Sequence, residues 1–393
     1  MSEYLYIHIP FCVRKCVYCD FLSVCHDEAV AREYIDALCR ELALKKGFAG
    51  ELKSIYIGGG TPSLLPNDCF TQLFKCLRDG FKFSASPEIT VEANPGTMDE
   101  SKINALLLLG VNRLSIGVQS FNDNELKTLG RIHTSEEAAR AIGAIKKAGL
   151  KNFSIDLMYG IPGQTMDSWK ETLSRATWFS PNHISSYELT PEKGTPLYEM
   201  VKSEESNPPL PPFTKGGMGG LLKKIKMPDE ELVLDMFGYA IDYLSSKGYE
   251  HYEISNFALP GFRCIHNMNY WDRGEYIGAG AGAHSFIRSL RSKNAGDIKK
   301  YIEITGSGNI PEIESIKLAP SDEIKEFIFL GLRKTEGISI LKAKELGIAF
   351  PGACKELIDE GYLEITEGLL RLTRKGLPLS NMVIVKIFEN LEL

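Results

Sequence analysis

Short β-branched runs alternate with longer amphipathic stretches over the first half of this chain of 393 residues. Apolar residues recur at a spacing near 3.6 in the longer stretches, which predicts helices between the strands. Strands that alternate with helices in this way form parallel sheets. Six units favour an α/β fold built as a partial (β/α)6 barrel, and the pattern alone leaves a doubly wound sheet open. The six runs are YLYIHI, KSIYIGGG, EITVEAN, RLSIGVQ, FSIDLMYG and HISSYEL.

Glycine, proline and polar residues follow several of these predicted strands. They occupy positions 58–62, 92–96, 119 and 156–163. In a barrel and in a doubly wound sheet alike, the carboxyl ends of the parallel strands form the ligand-binding face. We therefore expect the functional site at this edge of the sheet.

The composition changes along the chain suggest four segments. Residues 1–200 are predicted to form the barrel, and 201–228, rich in proline, glycine and lysine, a flexible insertion. Residues 229–290 are predicted to extend the barrel, and 291–393 to form a smaller C-terminal domain. That tail indicates helices and a hairpin in a winged-helix-like order. Its predicted helices carry few basic residues, which favours a docking or lid role over DNA reading.

Charge and hydropathy exclude several functional classes. The net charge of −6 argues against a broad nucleic-acid surface, since phosphate binding needs clustered lysine and arginine. No stretch approaches the roughly 18 apolar residues of a membrane span, and the sequence begins without a secretory signal pattern. We therefore expect a cytoplasmic protein, where thiols stay reduced.

Cys12, Cys16 and Cys19 lie within eight residues of a chain that has nine cysteines in total. Such thiols are idle, redox-active or metal-bound in a reducing compartment. A structural zinc site normally closes with four ligands, and no second Cys/His pair lies at a matching spacing. Three thiolates can instead hold three irons of a [4Fe-4S] cluster, which leaves the fourth iron open to another ligand. The cluster is therefore the sharper hypothesis.

This Cys-x3-Cys-x2-Cys spacing after a first strand, with Tyr18 before the third cysteine, resembles the radical S-adenosylmethionine (SAM) superfamily. The resemblance implies that SAM chelates the open iron and that an electron from the cluster cleaves its sulfonium to form a 5′-deoxyadenosyl radical. The segment GGGTP at 58–62 resembles the glycine-rich segment of that superfamily, where missing side chains let the backbone approach the cofactor.

Within the superfamily, the chain resembles the oxygen-independent coproporphyrinogen oxidase group over nearly its whole length. The similar motifs are YIHIPFC, GGGTPS, VEANPGT, SIGVQSFND, LGRIHT and IDLMYGIPGQT. The resemblance implies a SAM site formed by Tyr6, Tyr18, Gly59, Gly60, Thr61, Glu92, Gln119, Arg131 and Asp156. Carboxylates suit ammonium and ribose hydroxyl groups, and a guanidinium suits a carboxylate, which agrees with these residue types.

This group divides into porphyrinogen decarboxylases and HemW-type haem chaperones, and two features favour the chaperone branch. The decarboxylases have a further cysteine two residues after the third, where this chain has Phe21, and a longer N-terminal extension than the five residues before Tyr6. The segment HNMNYW, which begins at His266, resembles the HNxxYW signature of the chaperones.

A neutral imidazole is a good axial ligand for haem iron, so His266 is the candidate haem ligand. His251 and Cys264 lie close in sequence and are the alternatives. His8 is expected to be a buried, hydrogen-bonded histidine of the first strand, and His284 either lines the cavity or serves packing. Cys25 lies six residues after Cys19 and is expected near the cluster loop, whereas the remaining cysteines are expected to pack as small apolar residues.

The resemblance implies a protein that binds haem as cargo and delivers it to haem-accepting apoproteins, with the cluster and SAM assisting the transfer. Oxidative decarboxylation of coproporphyrinogen propionates is the alternative, and radical modification of another substrate stays open. An electron donor is implied for the cluster. A peripheral membrane contact and a homodimer are compatible with the resemblance.

Overall fold

A computed structural model of the protein describes residues 1–202 and 225–392. Most of the predicted insertion at 201–228 therefore lies outside the described residues. The strands of the main sheets are β1 (Ser2–Ile9), β2 (Ala49–Gly59), β3 (Lys82–Ala93), β4 (Arg113–Gln119), β5 (Phe153–Tyr159), β6 (His183–Glu188), β7 (Glu250–Glu253), β8 (Asn256–Ala258), β9 (Ile277–Ala279), β10 (His284–Ile287), β11 (Leu290–Asn294), β12 (Glu312–Lys317), β13 (Ile338–Ser339), β14 (Leu363–Thr366) and β15 (Leu369–Leu372).

The largest sheet in the described part of the chain has the order β9-β1-β2-β3-β4-β5-β6-β8-β7. Its six central strands are parallel and follow one another in chain order. A doubly wound sheet would reverse direction at a switch point, whereas a barrel winds one way. The predicted partial (β/α)6 barrel is therefore confirmed, and the doubly wound alternative is wrong.

Apolar spacing in the first half of the chain predicts five of the helices that connect and flank these strands. The helices are α1 (Glu28–Lys45), α2 (Asn67–Gly80), α3 (Glu100–Leu108), α4 (Asp123–Thr128), α5 (Ser135–Lys147), α6 (Met166–Trp178), α7 (Pro196–Lys202), α8 (Glu230–Ser246), α9 (Ile265–Trp271), α10 (Ile298–Gly306), α11 (Pro320–Gly331), α12 (Ile340–Glu345), α13 (Phe350–Ala353), α14 (Lys355–Asp359) and α15 (Ser380–Asn390). None of them, within the described ranges, has the length and apolar character needed to cross a bilayer.

Alternate residues of each barrel strand face opposite sides, as the strand period requires. Leu5, Ile7 and Ile9 of β1 are fully buried and share one apolar core with residues of α1. The opposite face is polar, and one row of strand neighbours across it is Tyr6, Tyr56, Thr90 and Arg113. The barrel therefore has an apolar outer layer under the helices and a polar interior.

A buried ion pair fastens α1 to the far edge of the sheet. Lys45 lies 2.8 Å from Glu41, and both side chains are almost fully buried. Glu41 also accepts hydrogen bonds from the backbone N–H of Gly280 at 2.7 Å, from Tyr301 at 2.6 Å and from Asn294 at 2.6 Å. The pair thus links one helix to the segment after β9 and to α10.

The predicted domain boundary between residues 290 and 291 falls inside the β10–β11 hairpin. β12 continues that sheet to Lys317, so residues 291–317 pack with the barrel rather than with the tail. The reason is the pairing of β10, β11 and β12 in one antiparallel sheet, which sequence alternation did not reveal. The tail that follows contains the expected helices and the β14–β15 hairpin, joined by β13 in a small sheet of its own.

We predict that Glu41→Ala destabilises the protein by about 3–5 kcal/mol, because the buried Lys45 ammonium loses its nearer carboxylate, at 2.8 Å, and keeps Glu312 at 3.6 Å. Urea unfolding followed by circular dichroism measures this as a lower transition midpoint. Glu28→Ala on the same helix is the matched control, since it breaks an exposed pair with Arg32 and should lower the transition midpoint far less. Equal losses in the two variants would contradict the role of burial.

Candidate functional site

A cavity of about 520 Å³ lies at the carboxyl ends of the barrel strands. The six parallel strands end at this edge, so the residues that follow them converge there. All of the predicted cluster and SAM residues except Tyr6 line the cavity. They are Cys12, Cys16, Tyr18, Cys19, Gly59, Gly60, Thr61, Glu92, Gln119, Arg131 and Asp156.

The loop after β1 carries the three cysteines as partly exposed free thiols. Cys12 lies in a two-residue parallel bridge with the segment Val24–Cys25, and the backbone N–H of Cys19 donates to the carbonyl of Cys16 at 3.3 Å. No three His, Cys, Asp or Glu side chains of residues 1–202 and 225–392 converge on a single ion position. A [4Fe-4S] cube takes each thiolate on a separate iron, so its ligands need not meet at one point.

The glycine-rich segment fits closely under the cysteine loop. A Cβ on Gly60 would lie 2.7 Å from the Phe11 carbonyl oxygen and 3.1 Å from the Cys12 sulfur. Gly59 has φ of +113°, and a Cβ there would lie 2.5 Å from the His8 ring. Only glycine tolerates this backbone and these approaches. The absent side chains therefore let the backbone of this segment lie directly beside Cys12, as a cofactor near the cluster requires.

Hydrogen-bond donors surround two of the thiols. The Thr61 hydroxyl donates to the Cys12 sulfur and Arg131 Nη1 donates to the Cys16 sulfur, both at 3.6 Å. The Nε atom of Arg131 is buried and has no partner among the described residues. A buried guanidinium N–H without an acceptor is costly, so it favours an anionic group in the cavity. The carboxylate of SAM is of that type.

Two half-buried carboxyl groups, Glu92 and Asp156, lie at the floor of the cavity. Glu92 accepts hydrogen bonds from Tyr56 at 2.8 Å and from the backbone N–H of Gly59 at 3.0 Å. Burial raises the pKa of Glu92 to about 7. Asp156 accepts from Ser115 at 2.9 Å, and burial likewise raises its pKa. A cationic ligand would offset this desolvation, which agrees with the ammonium and sulfonium groups of SAM.

Gln119 and Tyr18 line the cavity, whereas Tyr6 does not. The pairing of β4 with β5 shifts register at Gln119, whose φ of +67° turns its side chain towards the cavity. Burial raises the pKa of Tyr18, which lies beside Arg131. Tyr6 lies below the cavity, where its hydroxyl donates to His8 Nδ1 at 3.0 Å. The structure thus brings Tyr18 and Gln119 into the site and leaves Tyr6 beneath it.

Several residues that line the cavity were not named from the sequence, among them Tyr56, Asn94 and Ser115. Asn94 follows β3 in the motif VEANPGT, two residues after Glu92, so its position at a strand end was a usable signal. Tyr56 and Ser115 lie inside strands and face the barrel interior. Strand alternation could have placed them there, once the polar face was known to point inwards.

His266 lies outside this cavity, in α9, which closes the barrel below the cavity. The side chain is buried, with Nδ1 3.0 Å from the Ser54 hydroxyl and Nε2 3.0 Å from the Tyr270 hydroxyl. Glu88 accepts hydrogen bonds from the backbone N–H groups of Ile265 and His266 at 3.3 Å. Both ring nitrogens are therefore occupied, and in this conformation neither faces an iron site.

The other candidate ligands also have structural partners. Cys264 is buried and its thiol donates to Glu88 at 3.5 Å, and His251 Nε2 donates to the Ile254 carbonyl at 3.1 Å. His8 is buried and hydrogen-bonded, as predicted. His284 is exposed and does not line the cavity.

Two further residues near the three cysteines, Phe21 and Cys25, were also singled out from the sequence. Phe21, which occupies the place of the decarboxylases' further cysteine, is 64% exposed and lines the cavity. Cys25 lies opposite Cys12 in the short bridge, so it does approach the cluster loop.

We predict that Gly60→Ala prevents most cluster assembly, because the added Cβ collides with the Phe11 backbone and the Cys12 sulfur. Iron and acid-labile sulfide per chain, measured after anaerobic reconstitution, should fall strongly. Gly143→Ala is the control, since a Cβ there meets nothing within 4 Å. Full iron content in Gly60→Ala would show that the close approach is not needed.

We predict that SAM affinity rises with pH up to about 7, by up to about tenfold per unit, because the ionised Glu92 binds the cationic cofactor better than its neutral form. Equilibrium binding to cluster-loaded protein over this pH range measures the slope. Glu92→Gln should flatten it, and an equally steep slope in that variant would assign the titration to another group.

The sequence-family model of the radical SAM superfamily matches residues 6–176, and the family model of the HemN C-terminal domain matches residues 318–379. The heme chaperone HemW of Lactococcus lactis is 36% identical over 97% of this chain and 96% of its own length. The heme chaperone HemW of Bacillus subtilis is 34% identical over 96% of this chain and 97% of its own length. The heme chaperone HemW of Escherichia coli is 35% identical over 95% of this chain and 94% of its own length.

Among solved structures, coproporphyrinogen III oxidase (HemN) from Escherichia coli matches with a TM-score of 0.81 over 98% of this chain and 90% of its own. At 24% identity this likeness shows a shared fold. The match to the HemN C-terminal domain begins at residue 318, next to the end of β12. By sequence, the chain belongs to the radical SAM superfamily and, within it, to the family of heme chaperone HemW.

Proposed function

We propose that this protein is a haem chaperone that binds haem and delivers it to acceptor apoproteins. The observation that carries the proposal is the identity of 30% or more to several heme chaperone HemW proteins, in some of them over nearly the whole chain. Phe21 in the cysteine loop supports it, because a fourth loop cysteine is lacking there. The cavity supports the same assignment through its agreement with a radical SAM site.

Cys12, Cys16 and Cys19 would hold the [4Fe-4S] cluster in this proposal. Glu92, Asp156 and Arg131 would bind SAM beside it, with Gly59, Gly60, Thr61, Gln119, Tyr18 and Tyr6 completing the site. Bound there, the cluster can supply one electron to a sulfonium. The chain's own residues would bind a cation through the Glu92 and Asp156 carboxylates and orient a carboxylate through the Arg131 guanidinium.

Coproporphyrinogen decarboxylation is the alternative, and one experiment separates the two functions. Anaerobic, cluster-reconstituted protein is given coproporphyrinogen III, SAM and reductant, and a second sample is titrated with haem. We expect haem binding at a fixed stoichiometry that survives gel filtration, and no decarboxylated product. Decarboxylated product would overturn the chaperone proposal, and so would an absence of haem binding.

His266 remains our proposed haem ligand, and the structure sets a condition on it. Because Ser54 and Tyr270 occupy its ring nitrogens, ligation requires α9 to move away from the barrel. A protein that releases haem to another protein would benefit from a ligand that can return to internal hydrogen-bond partners, here Ser54 and Tyr270. If no such movement occurs, the segment HNMNYW serves only to close the lower end of the barrel.

We predict opposite effects for two substitutions in α9. His266→Ala should change the Soret spectrum and weaken haem binding by about tenfold or more, whereas Tyr270→Phe frees Nε2 and should preserve or strengthen binding. Haem titration of both variants, with circular dichroism as the folding control, measures this. If both variants bind haem as the unmodified protein does, His266 is a structural residue.

The other partners stay predictions. Reduction of the cluster would need an electron donor, and delivery would need contact with acceptor proteins. A cytoplasmic location stays an expectation from the sequence, and a peripheral membrane contact and a homodimer stay compatible with the family resemblance.

A further inference from the structure

Asn94 connects two of the cluster cysteines through a chain of hydrogen bonds. Its amide nitrogen donates to Thr61 Oγ1 at 2.8 Å, and its amide oxygen accepts from Arg131 Nη2. Thr61 in turn donates to the Cys12 sulfur, and Arg131 Nη1 to the Cys16 sulfur, both at 3.6 Å. We call this chain of five residues the Asn94 bridge.

The directions of these hydrogen bonds follow from chemistry. A guanidinium can only donate, so the amide oxygen of Asn94 must face Arg131 and its NH₂ group must face Thr61. The Thr61 oxygen accepts from that NH₂ group, which leaves its own proton for the Cys12 sulfur. Each end of the Asn94 bridge therefore donates a hydrogen bond to a thiol sulfur.

The bridge is built into the fold. Thr61 is 3% exposed, and Arg131 is further fixed by the Gly117 carbonyl, which accepts from Nη2 at 2.6 Å. A Cβ on Gly117 would lie 3.3 Å from both Arg131 Nη2 and Asn94 Oδ1, so the absent side chain leaves room for the contact. The residues come from the ends of β2, β3 and the segment after α4, which only the barrel brings together.

Hydrogen bonds to the sulfur ligands are one of the means by which a protein sets the reduction potential of an iron–sulfur cluster. Donors stabilise the extra negative charge of the reduced state, so losing them lowers the potential. From this geometry we propose that Asn94 is a positioning residue, which holds the Thr61 and Arg131 donors against the Cys12 and Cys16 sulfurs and thereby raises the reduction potential of the cluster. The inference depends on the proposed cluster and not on haem delivery.

The test is a potentiometric titration of the reconstituted cluster, followed by electron paramagnetic resonance. Asn94→Leu removes both hydrogen bonds at similar volume and should lower the midpoint potential at normal iron content. Thr61→Val should also lower it, and the double variant should shift the potential by less than the sum of the single shifts, because both act on the same donor. If Asn94→Leu fails to fold, Asn94→Ala replaces it in the same cycle.

Ser63→Ala is the matched control, since the Ser63 hydroxyl accepts from the Asn94 backbone N–H at 3.3 Å but takes no part in the Asn94 bridge. We expect an unchanged reduction potential in Ser63→Ala. A general packing defect near Asn94 would lower stability and cluster yield in this control variant, but it would not shift the potential. An unchanged potential in Asn94→Leu, or additive shifts in the double variant, would overturn the proposal. Iron and sulfide assays of the unmodified protein tell these outcomes apart from a failure of the cluster assignment, and no cluster there would overturn both.

Discussion

Parallel pairing of six strands in chain order is the constraint on which the rest of this structure depends. Because these six strands are all parallel, every one of them ends at the same edge. Residues separated by up to 115 positions, such as Cys16 and Arg131, come within hydrogen-bond distance there. The cavity, its two carboxyl groups and the donors to the thiols follow from that one arrangement, and none of them is formed by a single segment of the chain.

The sequence was most informative where a residue follows a strand. Gly60 and Glu92 could be placed at one edge because they follow predicted strands, whereas Arg131 was assigned to the site through the family resemblance of its motif LGRIHT. The spacing of the three cysteines within one loop was equally readable, since ligands close in sequence need no tertiary contact to be recognised. These features are local, and local features can be recognised in the amino-acid sequence.

The remaining features depend on long-range packing. His266 was read as an available imidazole, yet Ser54 and Tyr270 occupy its nitrogens, and no spacing in the sequence reveals that pairing. Likewise, the place of residues 291–317 beside the barrel follows from antiparallel pairing with β10. Contacts of this kind form between segments that are distant in sequence. The residue pattern within one segment therefore does not reveal them.

The two carboxyl groups at the barrel floor also determine what a ligand must displace. Because burial keeps Glu92 largely protonated below neutral pH, a cation that enters the cavity replaces a proton on that side chain. Binding is then an exchange, with one proton released to the solvent for the charge that is taken up. The heat measured by calorimetry should accordingly vary with the ionisation enthalpy of the buffer, even where the complex formed is the same.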